Sequence, residues 1–325
     1  MSRVTIKTIA NDLGISHMTV SRALSDHPNV QKETRDKIVK RADELGYVKN
    51  AAAMVMRGDA PKIVGLLLPN IVNEFYARFA NDLAVECDAQ SLQLIIHLTN
   101  DDTTVEQKAL EQLRQVQASS VVLVPAPRRS TGDRTPYGRM RVIELIRQSG
   151  TPDQHPTILV DDGPAIRAAV KHLVDKGHDK IAYIGANRDM SSGRARLDAF
   201  RLGAKQAGVE ILPDLISTGV PSFSMGRSHG HAILAGGTAT ALLCGGVEIS
   251  NGALSALMDS KTKLDEGFEF IGYGDPSFYS WVNNGVSTIR VPITELATRA
   301  AEMFLAADLS GPAPKDTFLA ELIIR

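Results

Sequence analysis

The sequence predicts an N-terminal all-α helix-turn-helix unit followed by an α/β region made of two doubly wound parallel-sheet subdomains. Three observations carry this expectation. Apolar residues recur at three- and four-residue spacing on both sides of Gly14. From Ile63 onward, short apolar runs alternate with helical periods. The resulting βα units are about twice as many as one mononucleotide-type sheet needs.

In the first unit, Ile6, Ile9, Ala10 and Leu13 make one side of a helix apolar, Thr5 stands where an N-cap belongs, and Gly14 stops the helix. Ser16 can cap a second helix in which Val20, Ala23 and Leu24 form a stripe, leaving His17, Met18, Ser21 and Arg22 on the opposite side. A small residue at the turn and a second helix with projecting N-terminal residues meet the geometric need of a major-groove reader, the alternative being an ordinary helical hairpin. Residues 25–29 read as a loop, and a third helix is expected over 32–45, ended by Gly46. The following Ala-rich stretch favours helix but is too short to hold one in isolation, so it reads as a linker with a conditional helix.

In the α/β region, buried parallel strands are expected at 63–68, 92–98, 121–124, 158–160, 181–184, 239–244 and 268–271. Helices are expected at 75–89, 105–116, 142–149, 165–176, 194–207 and 250–258. Ligands of such sheets sit beyond the carboxyl ends of the strands.

Composition sets the outer bounds. A chain of 325 residues with 43% apolar residues can hold more than one core. Residues 1–60 contain ten Lys and Arg against seven Asp and Glu, an excess of three within a chain of net charge -1; this permits a nucleic-acid partner without demanding one. Cys87 and Cys244 lie in no CxxC or Cys/His cluster, so neither a disulfide framework nor a zinc site is expected. No apolar run has signal-peptide or membrane-span length, and the expected location is the cytoplasm. No GxGxxG follows a strand, no P-loop or GxSxG occurs, and acids and histidines show no metal-ligand spacing, so an enzyme, a cofactor and a metal are not expected.

The pattern Val4-Thr5-Ile6-Lys7, Gly14-Ile15-Ser16, Thr19 to Leu24, Val30, Glu33-Thr34-Arg35, Leu45-Gly46-Tyr47 and Asn50 closely resembles the lactose-repressor (LacI/GalR-type) family of bacterial transcription regulators. The remainder resembles that family's effector domain, itself similar to periplasmic sugar-binding proteins, through Leu67-Leu68-Pro69-Asn70, Asn73 to Tyr76, His172-Leu173, Gly177-His178, Ile181 to Gly185, Arg196 with Phe200, Gly272 to Asp275 and Ser287 to Arg290. The resemblance implies three parts: a DNA-binding domain over 1–48, a hinge over 49–61, and an effector-binding and dimerisation domain over 62–325. The last divides into subdomains of about 62–160 with 292–318, and 161–291 with the C-terminal strand. A secreted binding protein would fit 63–325 but not the N-terminal helices.

The resemblance also implies roles. Ser16, His17, Met18 and Arg22 would reach base edges, with Arg22 the best placed for a guanine and a plain phosphate contact as its alternative. Thr5, Thr19, Ser21, Asn29 and Thr34 would grip phosphates. Met18 could equally seal the helix interface. Ala53 and Met56 would belong to a hinge helix whose apolar wedge, usually leucine in the family, enters the minor groove. Lys49 and Met54 depart from the family's usual proline and arginine there. Asn73, Phe75, Ser192, Arg196, Asp275, Phe223 and Trp281 would form the effector site, with core packing the alternative use of Trp281. Gly246 and Gly274 replace the Asn or Asp that commonly read ligand hydroxyls. That loss argues against a simple neutral hexose, and the Gly-Asp pair is reminiscent of gluconate-type repressors, so a sugar or a sugar acid is the expected effector. A strand before residues 148–156 is expected to be shortened or missing, leaving one sheet edge irregular. The expected protein is a homodimeric repressor of a pseudo-palindromic operator, away from membranes.

Overall fold

The computed structural model describes residues 4–47, 62–127, 140–149, 155–260, 267–306 and 313–325. The chain forms two compact units, Met1–Pro61 and Lys62–Arg325.

The first unit holds three helices, α1 (Ile6–Leu13), α2 (His17–Leu24) and α3 (Lys32–Glu44). Thr5 and Thr8 form a reciprocal capping pair at the start of α1, the Thr5 hydroxyl accepting from the Thr8 backbone and the Thr8 hydroxyl from the Thr5 backbone. Gly14 takes the left-handed conformation, φ 66°, that a side chain would resist, and its N–H closes the helix. The Ser16 hydroxyl accepts from the Thr19 N–H at 3.0 Å and caps α2, which starts at the next residue. Ile9, Val20 and Ile38, one from each helix, are fully buried against one another with Ala10, Ala23, Val30 and Ala42. Arg41 of α3 pairs with Asp12 of α1, and Arg35 donates to the carbonyls of His27 and Val30, bracing the loop between α2 and α3.

The second unit contains two six-stranded sheets. Its strands are β1 (Ile63–Leu68), β2 (Gln93–Leu98), β3 (Ser120–Leu123), β4 (Arg141–Leu145), β5 (Thr157–Asp161), β6 (Ile181–Ala186), β7 (Ile216–Gly219), β8 (Ala241–Gly245), β9 (Glu269–Tyr273), β10 (Ser287–Arg290), β11 (Lys315–Leu319) and β12 (Glu321–Ile323). The first sheet runs β11-β5-β4-β3-β1-β2 and the second β12-β10-β9-β8-β6-β7. All pairings are parallel except β10 with β12. The helices are α4 (Glu74–Ala89), α5 (Thr103–Gln115), α6 (Gly163–Asp175), α7 (Ser191–Ala207), α8 (Phe223–Gly236), α9 (Val247–Asp259) and α10 (Ile293–Leu305).

Three crossings join the sheets. The chain leaves β5 at Asp162 to enter α6 against the second sheet, returns after β10 through Val291 and Pro292 into α10 beside α4, and crosses again at Ala320 between β11 and β12. Buried residues of both sheets join one apolar cluster running from Phe79 and Leu83 through Ile293 to Leu173 and Tyr183. Each fully buried leucine in it is worth about 1.5–3 kcal/mol relative to exposure.

Two expectations are corrected here. Residues 142–149, expected as a helix, instead provide β4, and the strand expected to be shortened or missing is present inside the first sheet, between β3 and β5. Val142, Ile143 and Leu145 are buried, and the flanking strands supply partners for their backbone, which outweighs the weak helical periodicity. The strand ends abruptly because Ile146 turns to φ 52°. The sheet edges are β11 and β2.

Candidate functional site

In the helical unit, Ser16, His17 and Met18 are exposed at the start of α2, and Arg22 is exposed in its last turn. Met18 is 54% exposed, so it does not seal the helix interface. The Ser16 hydroxyl is committed to capping, leaving His17, Met18 and Arg22 as the side chains that project. Thr5 is exposed but engaged with Thr8; Thr19 is half-buried with its hydroxyl 2.9 Å from that of Ser16. Ser21 and Thr34 are half-buried, and Asn29 is exposed with its N–H on His27 Nδ1. Ala53 and Met56 lie outside the described residues.

The second unit contains a cleft of about 740 Å³, its open mouth included, at the carboxyl ends of both sheets. Asn73, Phe75, Ser192 and Arg196 line it together. Asn73 caps α4, its side-chain oxygen accepting from the Phe75 N–H at 3.0 Å, so its amide NH2 is what remains for a ligand. Phe75 packs edge-on to Tyr76 and makes an apolar wall. Ser192 stands in the first turn of α7.

Arg196 is fixed by its surroundings. Its Nε donates to Asp162 Oδ2 at 2.5 Å, one terminal nitrogen donates to the Gly245 carbonyl at 3.1 Å, and its guanidinium lies 4.2 Å from the centre of the Tyr273 ring. The Tyr273 hydroxyl donates to the same Asp162 oxygen at 2.7 Å. Burial works against the Arg196 charge, but the Asp162 carboxylate beside it prevails and the pKa is raised; burial pushes the Tyr273 hydroxyl well above its ordinary range.

Across the cleft stands a second buried arginine that the sequence reading did not single out. Arg147 donates to Asp101 Oδ1 at 2.6 Å and to the Tyr76 hydroxyl at 3.4 Å, and its buried Nε has no partner among the described residues. Burial opposes its charge, and the neighbouring Tyr76 and Asp101 raise its pKa nonetheless. The first subdomain therefore presents Arg147–Asp101 and the second Arg196–Asp162. Two further bonds tie the lips of the cleft: the Ser277 N–H donates to Glu74 Oε1 at 3.0 Å, and the Gln148 N–H to the Ser191 hydroxyl at 3.1 Å.

Asp275, Phe223 and Trp281 are not among the residues that line this cleft. Asp275, at φ 50°, is turned away and gripped by Arg290 at 2.9 Å and Arg325 at 2.8 Å. Despite burial, these two arginines hold its carboxyl below the ordinary range. Phe223 opens α8 and is 41% exposed. Trp281 is 72% exposed, edge-on to Phe278, so it serves neither as a cleft wall nor as core. Gly274 explains itself: at φ 97° with Val247 Cγ2 only 2.3 Å from where a Cβ would stand, the position excludes any side chain. Among the described residues, no group of three or more His, Cys, Asp or Glu is placed to hold a metal ion, and no helix is long and apolar enough to cross a membrane.

Comparison with known proteins decides what this pairing of parts is. Residues 5–50 match the family model for bacterial regulatory proteins of the lacI family, and residues 170–325 match that for the periplasmic binding protein-like domain. Catabolite control protein A of Streptococcus mutans is 27% identical over 304 residues, covering 92% of this chain and 90% of its own. The HTH-type transcriptional regulator GalR of Salmonella typhimurium is 26% identical over 314 residues, covering 96% and 92%. The chain joins a lacI-family DNA-binding domain to a periplasmic binding protein-like domain. It is a DNA-binding transcriptional regulator, as its relatives are, and not an enzyme. Its fold is that of the lac repressor dimer bound to operator and the anti-inducer ONPF, at a TM-score of 0.83 and 19% identity over 100% of this chain and 98% of that one.

Proposed function

We propose that this chain is a homodimeric lacI-family repressor whose affinity for a pseudo-palindromic operator is set by a small carbohydrate-type effector bound in the cleft. The observation that carries the reading is the joint presence, in one chain, of an exposed α2 face and a cleft bounded by two subdomains, each offering a buried arginine. His17, Met18 and Arg22 would read base edges, Ser16 positioning them as the cap; Thr5, Thr19, Ser21, Asn29 and Thr34 would hold the backbone; Ala53 and Met56 would supply the minor-groove hinge. Similar proteins support the effector class: one solved structure is a complex of the transcriptional regulator CelR with cellobiose, and a relative 24% identical over 308 residues is the ribose operon repressor of Escherichia coli.

A ligand touching Asn73, Phe75 and Arg147 on one side and Ser192 and Arg196 on the other would favour one angle between the subdomains. The hinge equilibrium can shift by no more than the ligand's differential affinity for the two states. The test is selection of duplexes from a random pool. The full chain should enrich a two-fold symmetric sequence, and the chain lacking residues 1–61 should enrich none while remaining dimeric by light scattering. Retained sequence-specific binding by the truncated chain would overturn the assignment.

A further inference from the structure

With Asp162 counted behind Arg196, the charges at the cleft do not cancel. Arg147 is matched by Asp101 at 2.6 Å and Arg196 by Asp162 at 2.5 Å. The remaining lining charge is Glu248, in the first turn of α9, and no Lys or His lines the cleft among the described residues. Its described partner is the Asn251 side chain, which donates to it, while the buried Asn251 Oδ1 has no partner. Two cations and three carboxylates thus surround the cleft, an excess of one negative charge. Glu248 is half-buried and has no cation beside it; burial pushes its carboxyl up from the ordinary range, with the Asn251 bond opposing.

Both arginines are committed to protein carboxylates, so an acidic sugar would add a second uncompensated negative charge to a site that already has one. A ligand bearing an ammonium would cancel it. On the opposite subdomain, the Arg147 Nε that lacks a partner calls for an oxygen acceptor rather than a charge. Gly246, two residues before Glu248, lines the same cleft and adds no side chain to it. We propose that the effector is an amino-polyol, such as an amino sugar, whose ammonium pairs with Glu248 while its hydroxyl oxygens face Arg147 and the Asn73 amide, making Glu248 the specificity-determining residue of the cleft. This rests on the reading of the cleft as a carbohydrate site.

The test uses the full chain at neutral pH and pyranose probes of each charge: glucose, glucosamine and glucuronate; galactose, galactosamine and galacturonate. Dissociation constants come from thermal-shift titration. A charge-assisted pair predicts that the amine of at least one set binds about tenfold or more tightly than its neutral parent, and the acid more weakly than either. Glu248→Gln, close to isosteric, should erase that preference, the amine and its neutral parent then binding within about twofold of each other. Binding of neutral or acidic members with no preference for the amine, or a preference that survives Glu248→Gln, overturns the inference and leaves the carbohydrate reading standing. No stabilisation by any probe overturns both. If the variant melts too low to titrate, the amine-to-neutral ratio of the unmodified chain decides.

Discussion

Replacing Arg196 with Ala tests whether the buried pair at the cleft is a unit. Asp162 has 7% of its side chain exposed and Arg196 12%, so removing the guanidinium leaves a buried carboxylate held by the Tyr273 hydroxyl alone. Breaking such a pair by deleting one partner costs about 3–5 kcal/mol. At about 2–4 °C per kcal/mol for a chain of this size, the midpoint should fall by about 6–20 °C. Asp162→Ala strands the guanidinium instead and should cost a similar amount. The double variant strands neither, so its loss should fall short of the sum of the two by about 1.5–3 kcal/mol, the worth of a hydrogen bond to a charged group. Thermal unfolding for the midpoints and urea unfolding for the free energies, both followed by circular dichroism, are the right assays, because Trp281 is already 72% exposed and its fluorescence will change little. Additivity of the two single losses within about 0.5 kcal/mol would refute the coupling and return Arg196 to the role of a ligand group merely resting near Asp162.

Three other perturbations follow from named contacts. Ser16→Ala removes the α2 cap and should cost about 1 kcal/mol locally, seen as roughly fivefold faster hydrogen exchange at the Thr19 amide; unchanged protection would deny the cap its role. Asp275 titrates below its ordinary 3.8 in the folded chain, so its two arginine pairs stabilise the fold at neutral pH and lose that contribution as pH falls below about 4. Asp275→Asn should therefore be less stable than the parent at neutral pH, with the gap closing as pH falls below about 4, and a gap independent of pH would contradict the pairing. Burial pushes the Cys87 thiol up to about 11 and the Cys244 thiol up as well, so iodoacetamide at about pH 8 should label neither until denaturant is added. Rapid labelling of the native chain would show that one of them is reachable.

What was legible in the sequence is what local chemistry decides. The caps at Thr5 and Ser16, the Gly14 turn and the apolar stripes of α1 and α2 need no partner beyond a few residues, and they stand where the spacing puts them. The alternation of strand and helix was legible for the same reason where elements were named, with ends differing by a few residues; β7, β10, β11, β12, α8 and α10 were not named. β4 was misread as helix. Val142, Ile143 and Leu145 satisfy either period over so short a run, and only the strands on both sides, brought from residues 120–123 and 157–161, settle it.

That misreading propagated into the site. Arg147 follows the end of β4, where a doubly wound sheet places ligand groups, but a residue taken to lie inside a helix receives no such role. Asp162 carried a local signal that could have found it: it is the residue between a strand end and a Gly-Pro helix start, at a crossing between the sheets. The cleft residues that were legible, Asn73, Phe75, Ser192 and Arg196, each stand near the start of a helix that follows a strand, which sequence reveals. Asp275 stands after β9 in a similar place, yet its carboxylate is claimed by Arg290, fifteen residues on, and by Arg325, fifty residues on. Position along the chain says which side chains can reach the cleft; it does not say which of them the fold has already paired. The question of effector charge turns on that second property, because Arg196 considered singly invites an acid, whereas Arg196 with Asp162, Arg147 with Asp101, and Glu248 left over invite a cation.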